Sequence, residues 1–408
     1  MTSTIEASRE TAAFGAGAVR PPRVVHVVEN LNRQAVENWL IRMMRHAAAR
    51  NVDLDWTFYC TLGRPGALDD TVRGLGGRIV FSPCSESEPV GFVRALRAEL
   101  RRGYDVLHHH HDIMSAPTLL AALGLPVRKT IVHVHNADLN LPTPSKWKRL
   151  MFREPFRQIC LRADRVVGNS NHTLRTMLNG RLIDPAKHCV HYYGVDPASF
   201  QRRGDPAEFR RALGLPADAK ILLFAGRIAP EKNPLFAIDV LAALRRRDAN
   251  TVVVFAGAGG LEEAVLRRAR DLNVDPWLKM LGWRSDLPEV MICCDWFILP
   301  RPEQPMEGFG LAVIEAQLAG LRLLLSRGIA DDPLLPTAKF RRLALSESAD
   351  AWADAAMDLM TEPAPSAPEA LAALKNSPMD MDFALRDLLR LHACGLDRLK
   401  AGYVARQQ

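Results

Sequence analysis

From residue 23 to residue 326 the chain alternates short β-branched runs with stretches of helical spacing, and this alternation constrains the fold more than any other feature. The runs include "RVVHVV" (23–28), "YDVLH" (104–108), "KTIVHVH" (129–135), "RVVGN" (165–169), "KILLFAG" (220–226), "TVVVFAG" (251–257) and "DWFILP" (295–300). Most are apolar on both faces, so they predict strands of a parallel sheet covered by helices on each side. Between them, "VENWLIRMMRHAAAR" sets Val36, Leu40, Met43, Met44 and Ala47 on one helical face. The alternation breaks around "YYGVDPASFQRRGDPAEF" (192–209) and restarts at Lys220. A chain of 408 residues is also too long for one ordinary core. The expected architecture is therefore α/β: two doubly wound Rossmann-like domains, at 23–200 and 201–380, facing each other across a cleft. Residues 1–22 read as a disordered tail. Beyond the Pro/Ala-rich stretch 361–380, residues 381–408 read as a C-terminal helix packing back on the first domain.

Composition narrows the classes. Hydrophobic residues at 48% and charged ones at 24% describe a soluble globular chain, and no run approaches ~18 apolar residues. The first twenty residues have no apolar core of a signal peptide and include Glu6 and Glu10. Seven scattered cysteines without a CxxC pair speak against a disulfide framework or structural zinc, and for a reducing cytoplasm. A net charge of +7 points to anionic partners. No nucleic-acid module, Walker A loop or nucleophile elbow is present, so nucleic acid is not an expected partner.

Three motifs stand at expected strand ends, where open α/β sheets bind ligands. In "FAGRIAPEKNP" (224–234), Arg227 and Lys232 flank a helix start, a pairing suited to a diphosphate and equally to two solvated cations. "FAGAGG" places Gly257 where a backbone can approach a ligand, or simply turn tightly. In "RPEQPMEGFGLAVIEAQLAG" (301–320), Glu307 precedes the turn Gly308-Phe309-Gly310, and Glu315 sits inside an apolar helical run. A helix dipole alone accounts for a carboxylate at Glu307, but not for one at Glu315.

The N-terminal half is rich in histidine. Nine of the twelve histidines lie between 108 and 191, with "DVLHHHHD" and "HVHNA" each ending a strand. Consecutive residues of an extended chain alternate sides, so the four cannot all face one ion, and a cleft-lining role is expected over a metal site. "PSKWKRLMFREPFRQICLRADR" (144–165) has a net charge of +5 with Trp147, Phe152 and Phe156 interleaved. It reads either as an ordinary packed helix or as one that rests peripherally on anionic membrane.

Taken in order, "GRIAPEKNP", "EGFGLAVIEAQLAG", "GNSNHTLRTML" and "YYGVD" resemble the retaining glycosyltransferases of family 4, which have the two-domain GT-B architecture. The resemblance covers Val24 to about Arg390. It implies transfer of a hexose from a nucleotide-sugar, UDP-linked or next GDP-linked, to a saccharide or lipid-linked saccharide during surface polysaccharide synthesis. It also implies an N-terminal acceptor side, a C-terminal donor side, a cytoplasmic or inner-membrane location, and no cofactor or metal. Arg227 and Lys232 would grip the diphosphate, and Glu315 the ribose. Glu307 would hold the transferred sugar, beside the backbone of Gly308, Phe309 and Gly310. His110 would bond the sugar near the reacting carbon, and His135 would line the cleft on the acceptor side. The family's usual Gly-Gly is replaced by Gln34 and Ala35, which keeps two alternatives open: another GT-B enzyme, such as an epimerase or phosphorylase, or a non-catalytic relative.

Overall fold

The computed structural model describes residues 20–32, 34–84, 88–137, 139, 146–201 and 204–393. The expected tail up to residue 19 and the end of the expected C-terminal helix lie outside the described residues.

Two all-parallel sheets form as the apolar runs require. The first has the order β3-β2-β1-β4-β5-β6-β7. Its strands are β1 (Arg23–Val28), β2 (Asp55–Cys60), β3 (Arg78–Phe81), β4 (Val106–His109), β5 (Lys129–Val134), β6 (Arg165–Gly168) and β7 (His188–Val190). The second, with the order β10-β9-β8-β11-β12-β13, comprises β8 (Lys220–Ala225), β9 (Thr251–Ala256), β10 (Leu278–Gly282), β11 (Trp296–Leu299), β12 (Arg322–Ser326) and β13 (Phe340–Leu343). Each order reverses once, between β1 and β4 and between β8 and β11, and the crevice at such a reversal is where ligands bind. Strands β2, β3, β7, β10, β12 and β13 were not among the runs singled out from sequence. Several are short or mixed in polarity, and they sit toward the sheet edges.

The interval 192–209 is more structured than its composition suggests. Asp205 accepts hydrogen bonds from the Ala207 and Glu208 amides and caps the helix Pro206–Ala212. A capping Asp followed by Pro is a helix-start signal that the polar composition obscured.

The chain then returns to its first half. Val195 donates its amide to the Met379 carbonyl (2.9 Å), and the helix Met381–His392 packs on the helix Ala35–Ala49. Asp382 accepts from His46 Nε2 and Arg50 Nη2, both at 2.7 Å. Gly194 makes the crossing possible: a Cβ there would lie 2.8 Å from Met381 Sδ and 2.9 Å from Ala384 Cβ. Gly194→Val should therefore prise this helix from its seat and cost ~1–3 kcal/mol of stability. Equilibrium urea unfolding monitored by circular dichroism measures the loss.

Candidate active site

A cleft of about 780 Å³ opens between the carboxyl ends of the two sheets. That is a volume within the range that holds ligands of drug size or somewhat larger. Its N-terminal wall is built from residues that follow β1, β4, β5 and β6; its C-terminal wall follows β8, β9, β10 and β11.

On the C-terminal wall a carboxylate sits between two cations. Glu307 Oε2 lies 2.6 Å from Lys232 Nζ and 3.0 Å from Arg301 Nη1, and only 15% of its side chain is exposed. Burial alone would raise the Glu307 pKa; Lys232 and then Arg301 outweigh it and hold the carboxyl below its usual range. Arg301 also donates to the carbonyls of Glu231 (3.1 Å), Pro305 (3.2 Å) and Met306 (3.3 Å), so it ties the Glu307 loop to the turn carrying Lys232. Motif spacing assigned Arg301 no such role. Arg227 is mostly exposed on the cleft and pairs with Glu231 at 2.8 Å.

Glycines let the backbone close up here. A Cβ on Gly257 would stand 1.9 Å from the Gly226 carbonyl oxygen, so the ends of β8 and β9 meet only because Gly257 has no side chain. Gly308 lies across the domain junction, where a Cβ would be 2.2 Å from the His135 carbonyl oxygen. Gly310, with φ +80°, starts the helix Leu311–Leu318 in the left-handed region. Phe309 is buried at the junction, with ring centroids 5.6 Å from Tyr192 and 5.7 Å from Tyr193. Its ring packs the two domains together beside the cleft.

Glu315 does not line the cleft. It is buried, and its Oε1 accepts from Arg42 Nη1 at 3.0 Å, across to the helix Ala35–Ala49. No feature of the sequence separated by 273 positions pointed to Arg42 as its partner.

The N-terminal wall carries histidines in a connected array. His26 Nδ1 is 3.0 Å from His110 Nε2, His110 Nδ1 is 3.0 Å from His135 Nε2, and His135 Nδ1 is 2.6 Å from the Tyr193 hydroxyl. Behind them His108 meets His392 (2.9 Å) and His133 (3.3 Å). His109 turns to the opposite face, 2.6 Å from the Thr118 hydroxyl, as alternation along a strand demands. Burial lowers the pKa of every ring in this array, His26 and His135 to about 3, so all are neutral at physiological pH. Both ring nitrogens of His110 and of His135 are already engaged. Two sets, His26-His108-His392 and His108-His110-His133, bring ring nitrogens close enough to hold a metal ion. The first set joins His26 and His392 from distant segments, which sequence spacing could not foresee; the second joins His108 and His110, which alternation puts on one face of β4, to His133 of the neighbouring strand.

Gln34 and Ala35 both line the cleft at the start of the helix Ala35–Ala49. Gln34 has φ −93° and ψ 176°, an extended conformation open to any residue, so this loop needs no glycine at that position. Glu37, which sequence reading passed over, lies on the same wall.

Residues 36–199 match the model of Glycosyltransferase Family 4, and residues 205–375 that of Glycosyl transferases group 1. The chain is 28% identical over 340 residues to the putative glycosyltransferase EpsF of Bacillus subtilis, covering 81% of this chain and 86% of that one. It is 29% identical over 273 residues, 64% of this chain and 67% of the relative, to the Escherichia coli UDP-Gal:alpha-D-GlcNAc-diphosphoundecaprenol alpha-1,3-galactosyltransferase. Its fold matches Anabaena Alr3699/HepE, solved in complex with UDP-glucose, with a TM-score of 0.71 and 16% identity over 90% of this chain and 98% of that chain. With both halves matched in order, and with two doubly wound sheets facing across a cleft in the GT-B manner, the chain belongs to the family 4 glycosyltransferases.

Proposed function

We propose that the protein transfers a hexose from UDP-hexose to a saccharide or lipid-linked saccharide, with retention of anomeric configuration and without a metal. The observation that carries this reading is the Lys232–Glu307–Arg301 cluster at the β8/β11 reversal, with Arg227 beside it. A diphosphate seated there meets Lys232 and Arg227, whose fixed charges neutralise the leaving group as the anomeric C–O bond breaks. Glu307, kept ionised by its two cations, accepts hydrogen bonds from hydroxyls of the transferred sugar. The exposed indole of Trp283, also on the cleft, offers the base a stacking face. The ribose contact expected at Glu315 is not part of this reading, because that carboxylate is buried against Arg42 and off the cleft. A sugar hydroxyl reaches a His110 nitrogen only by replacing His26 or His135. The relative that acts on a diphosphoundecaprenol-linked saccharide, and the neighbour solved with UDP-glucose, support the choice of substrates.

Because Lys232 and Arg227 supply the positive charge, transfer should persist in excess EDTA. Product anomers read by proton NMR should keep the donor's configuration. Glu307→Gln should lower kcat at least ~100-fold, since a charged hydrogen-bond acceptor is lost beside the developing charge and two partly buried cations lose its charge. Inversion at the anomeric carbon, or loss of all activity on chelation, would contradict the mechanism.

We also propose that the cytoplasmic enzyme rests on anionic membrane through the helix Lys146–Cys160. Trp147 is 80% exposed, and Met151 and Phe152 are exposed beside it. Arg157 does not contribute to such a face: it is buried, paired with Glu154, and donates to the Met177 carbonyl at 2.9 Å. Among the described residues no helix is long and apolar enough to cross a membrane. Co-sedimentation with phosphatidylglycerol vesicles should fall about tenfold in Trp147→Ala/Met151→Ala, and with neutral vesicles binding should be weak throughout.

A further inference from the structure

The two walls of the cleft differ in charge. Among the described residues the N-terminal wall contributes Glu29, Glu37 and Asp112 and no Lys or Arg, and its histidines are neutral. The C-terminal wall contributes Arg227, Lys232, Arg284 and Arg301 against Glu231 and Glu307. Asp112 is committed to structure, since it accepts from the His135 amide (2.7 Å) and from Asn136 Nδ2 (2.9 Å). Glu37 is not. It is only 5% exposed, and its Oε2 has no hydrogen-bond partner among the described residues. A buried carboxylate oxygen with nothing to bond is costly, and no described residue supplies a partner for this one.

We infer that Glu37 is the centre of the acceptor subsite, where its carboxylate receives hydrogen bonds from a hydroxyl or ammonium of a neutral or amino sugar, and where phosphorylated or uronic sugars are refused. This rests on the glycosyl-transfer reading above. Gln34 and Asn38 flank Glu37 at the mouth of the cleft and extend the same polar, cation-free surface. An anionic acceptor would set its charge against Glu29 and Glu37 with no fixed cation on that wall to offset it, so the selectivity is built by repulsion as well as attraction. The basic wall opposite is left to the diphosphate.

The ionisation of Glu37 fits this role. Burial raises its pKa, first and mainly, to about 7, with Glu29 adding to the rise and its own backbone amide opposing it. Around it stand Cys60, which feels Glu37 and Asp69, and Tyr193, which feels Glu37, Asp112 and Glu307. On its own helix, Arg42 is taken by Glu315, and His46 and Arg50 by Asp382. The folded protein therefore holds Glu37 partly protonated near neutrality, and the carboxylate that binds the acceptor forms as pH rises through about 7. A group whose pKa is raised on folding destabilises the fold once the pH passes above its unfolded value, progressively up to the folded one. Replacing it by a neutral isostere removes that penalty.

The test compares wild type and Glu37→Gln. UDP affinity by calorimetry should be the same in both, within about twofold, since the donor wall is untouched. In transfer to p-nitrophenyl hexoside, glucosaminide and glucuronide, wild type should use the first two and use the glucuronide at least about tenfold less efficiently. The variant should raise the acceptor KM about tenfold while leaving the donor KM in place, and should lose the rise of kcat/KM between pH about 6 and 8. Its thermal midpoint should be higher than that of wild type at pH about 8 and equal near pH 5. The subsite is overturned if UDP binds but the glucuronide is preferred, if no glycoside is used, if the acceptor KM does not move, or if the variant is less stable at the higher pH. Failure of both proteins to bind UDP would instead count against the donor-site reading.

Discussion

One carboxylate between two cations organises the C-terminal half of the cleft. Glu307 is held by Lys232 and Arg301, which come from the loops after β8 and β11, the two strands that flank the reversal of the sheet. Largely buried charges of this kind persist only when paired, because an isolated one costs several kcal/mol to desolvate. The pairing therefore does two things at once. It fixes the Glu307 loop against the Lys232 turn, and it keeps a charged acceptor and a charged donor within reach of the same ligand. Arg301, through three further bonds to backbone carbonyls, makes the arrangement rigid.

The second half of the cleft is polar in a different manner. Its histidines are neutral and bonded to one another, and its acidic groups are not balanced by Lys or Arg among the described residues. A cleft with a basic wall and an acidic wall orders two substrates by charge: the anionic donor on one side, the uncharged or cationic acceptor on the other. On the proposed reading, each domain holds its own substrate across the cleft. The junction is already tight at Gly308 and Phe309, and Arg42–Glu315 ties it a second time.

Much of the fold was legible because parallel strands buried on both faces are mostly apolar: β8 and β9 are so after their first residue, and β1 and β5 each carry one buried histidine in an otherwise apolar interior. Strands such as Arg78–Phe81 and Phe340–Leu343 escaped because edge positions tolerate charge and short length. Arg227, Lys232, Glu307 and the glycines stood out within motifs at expected strand ends, and the structure places them on the cleft, since loop chemistry at strand ends is local. Glu315's partner, the Arg301 clamp and the reach of the histidine array were not. Each depends on residues brought together by tertiary packing, and a sequence contains no distance between positions 42 and 315. Glu37 was missed for another reason: a glutamate in the first turn of a helix is ordinary until its burial is known.

A nucleoside-diphosphate site built on Lys232 and Glu307 underlies the proposed transfer. Isothermal titration of UDP, GDP and ADP into the purified protein and into Lys232→Ala probes that site without any acceptor. The reading predicts that UDP binds most tightly and that the variant loses at least about tenfold in affinity, as removal of one charge-assisted contact to a phosphate should cause. Absence of binding by all three nucleotides, or equal UDP affinity in the variant, would contradict it.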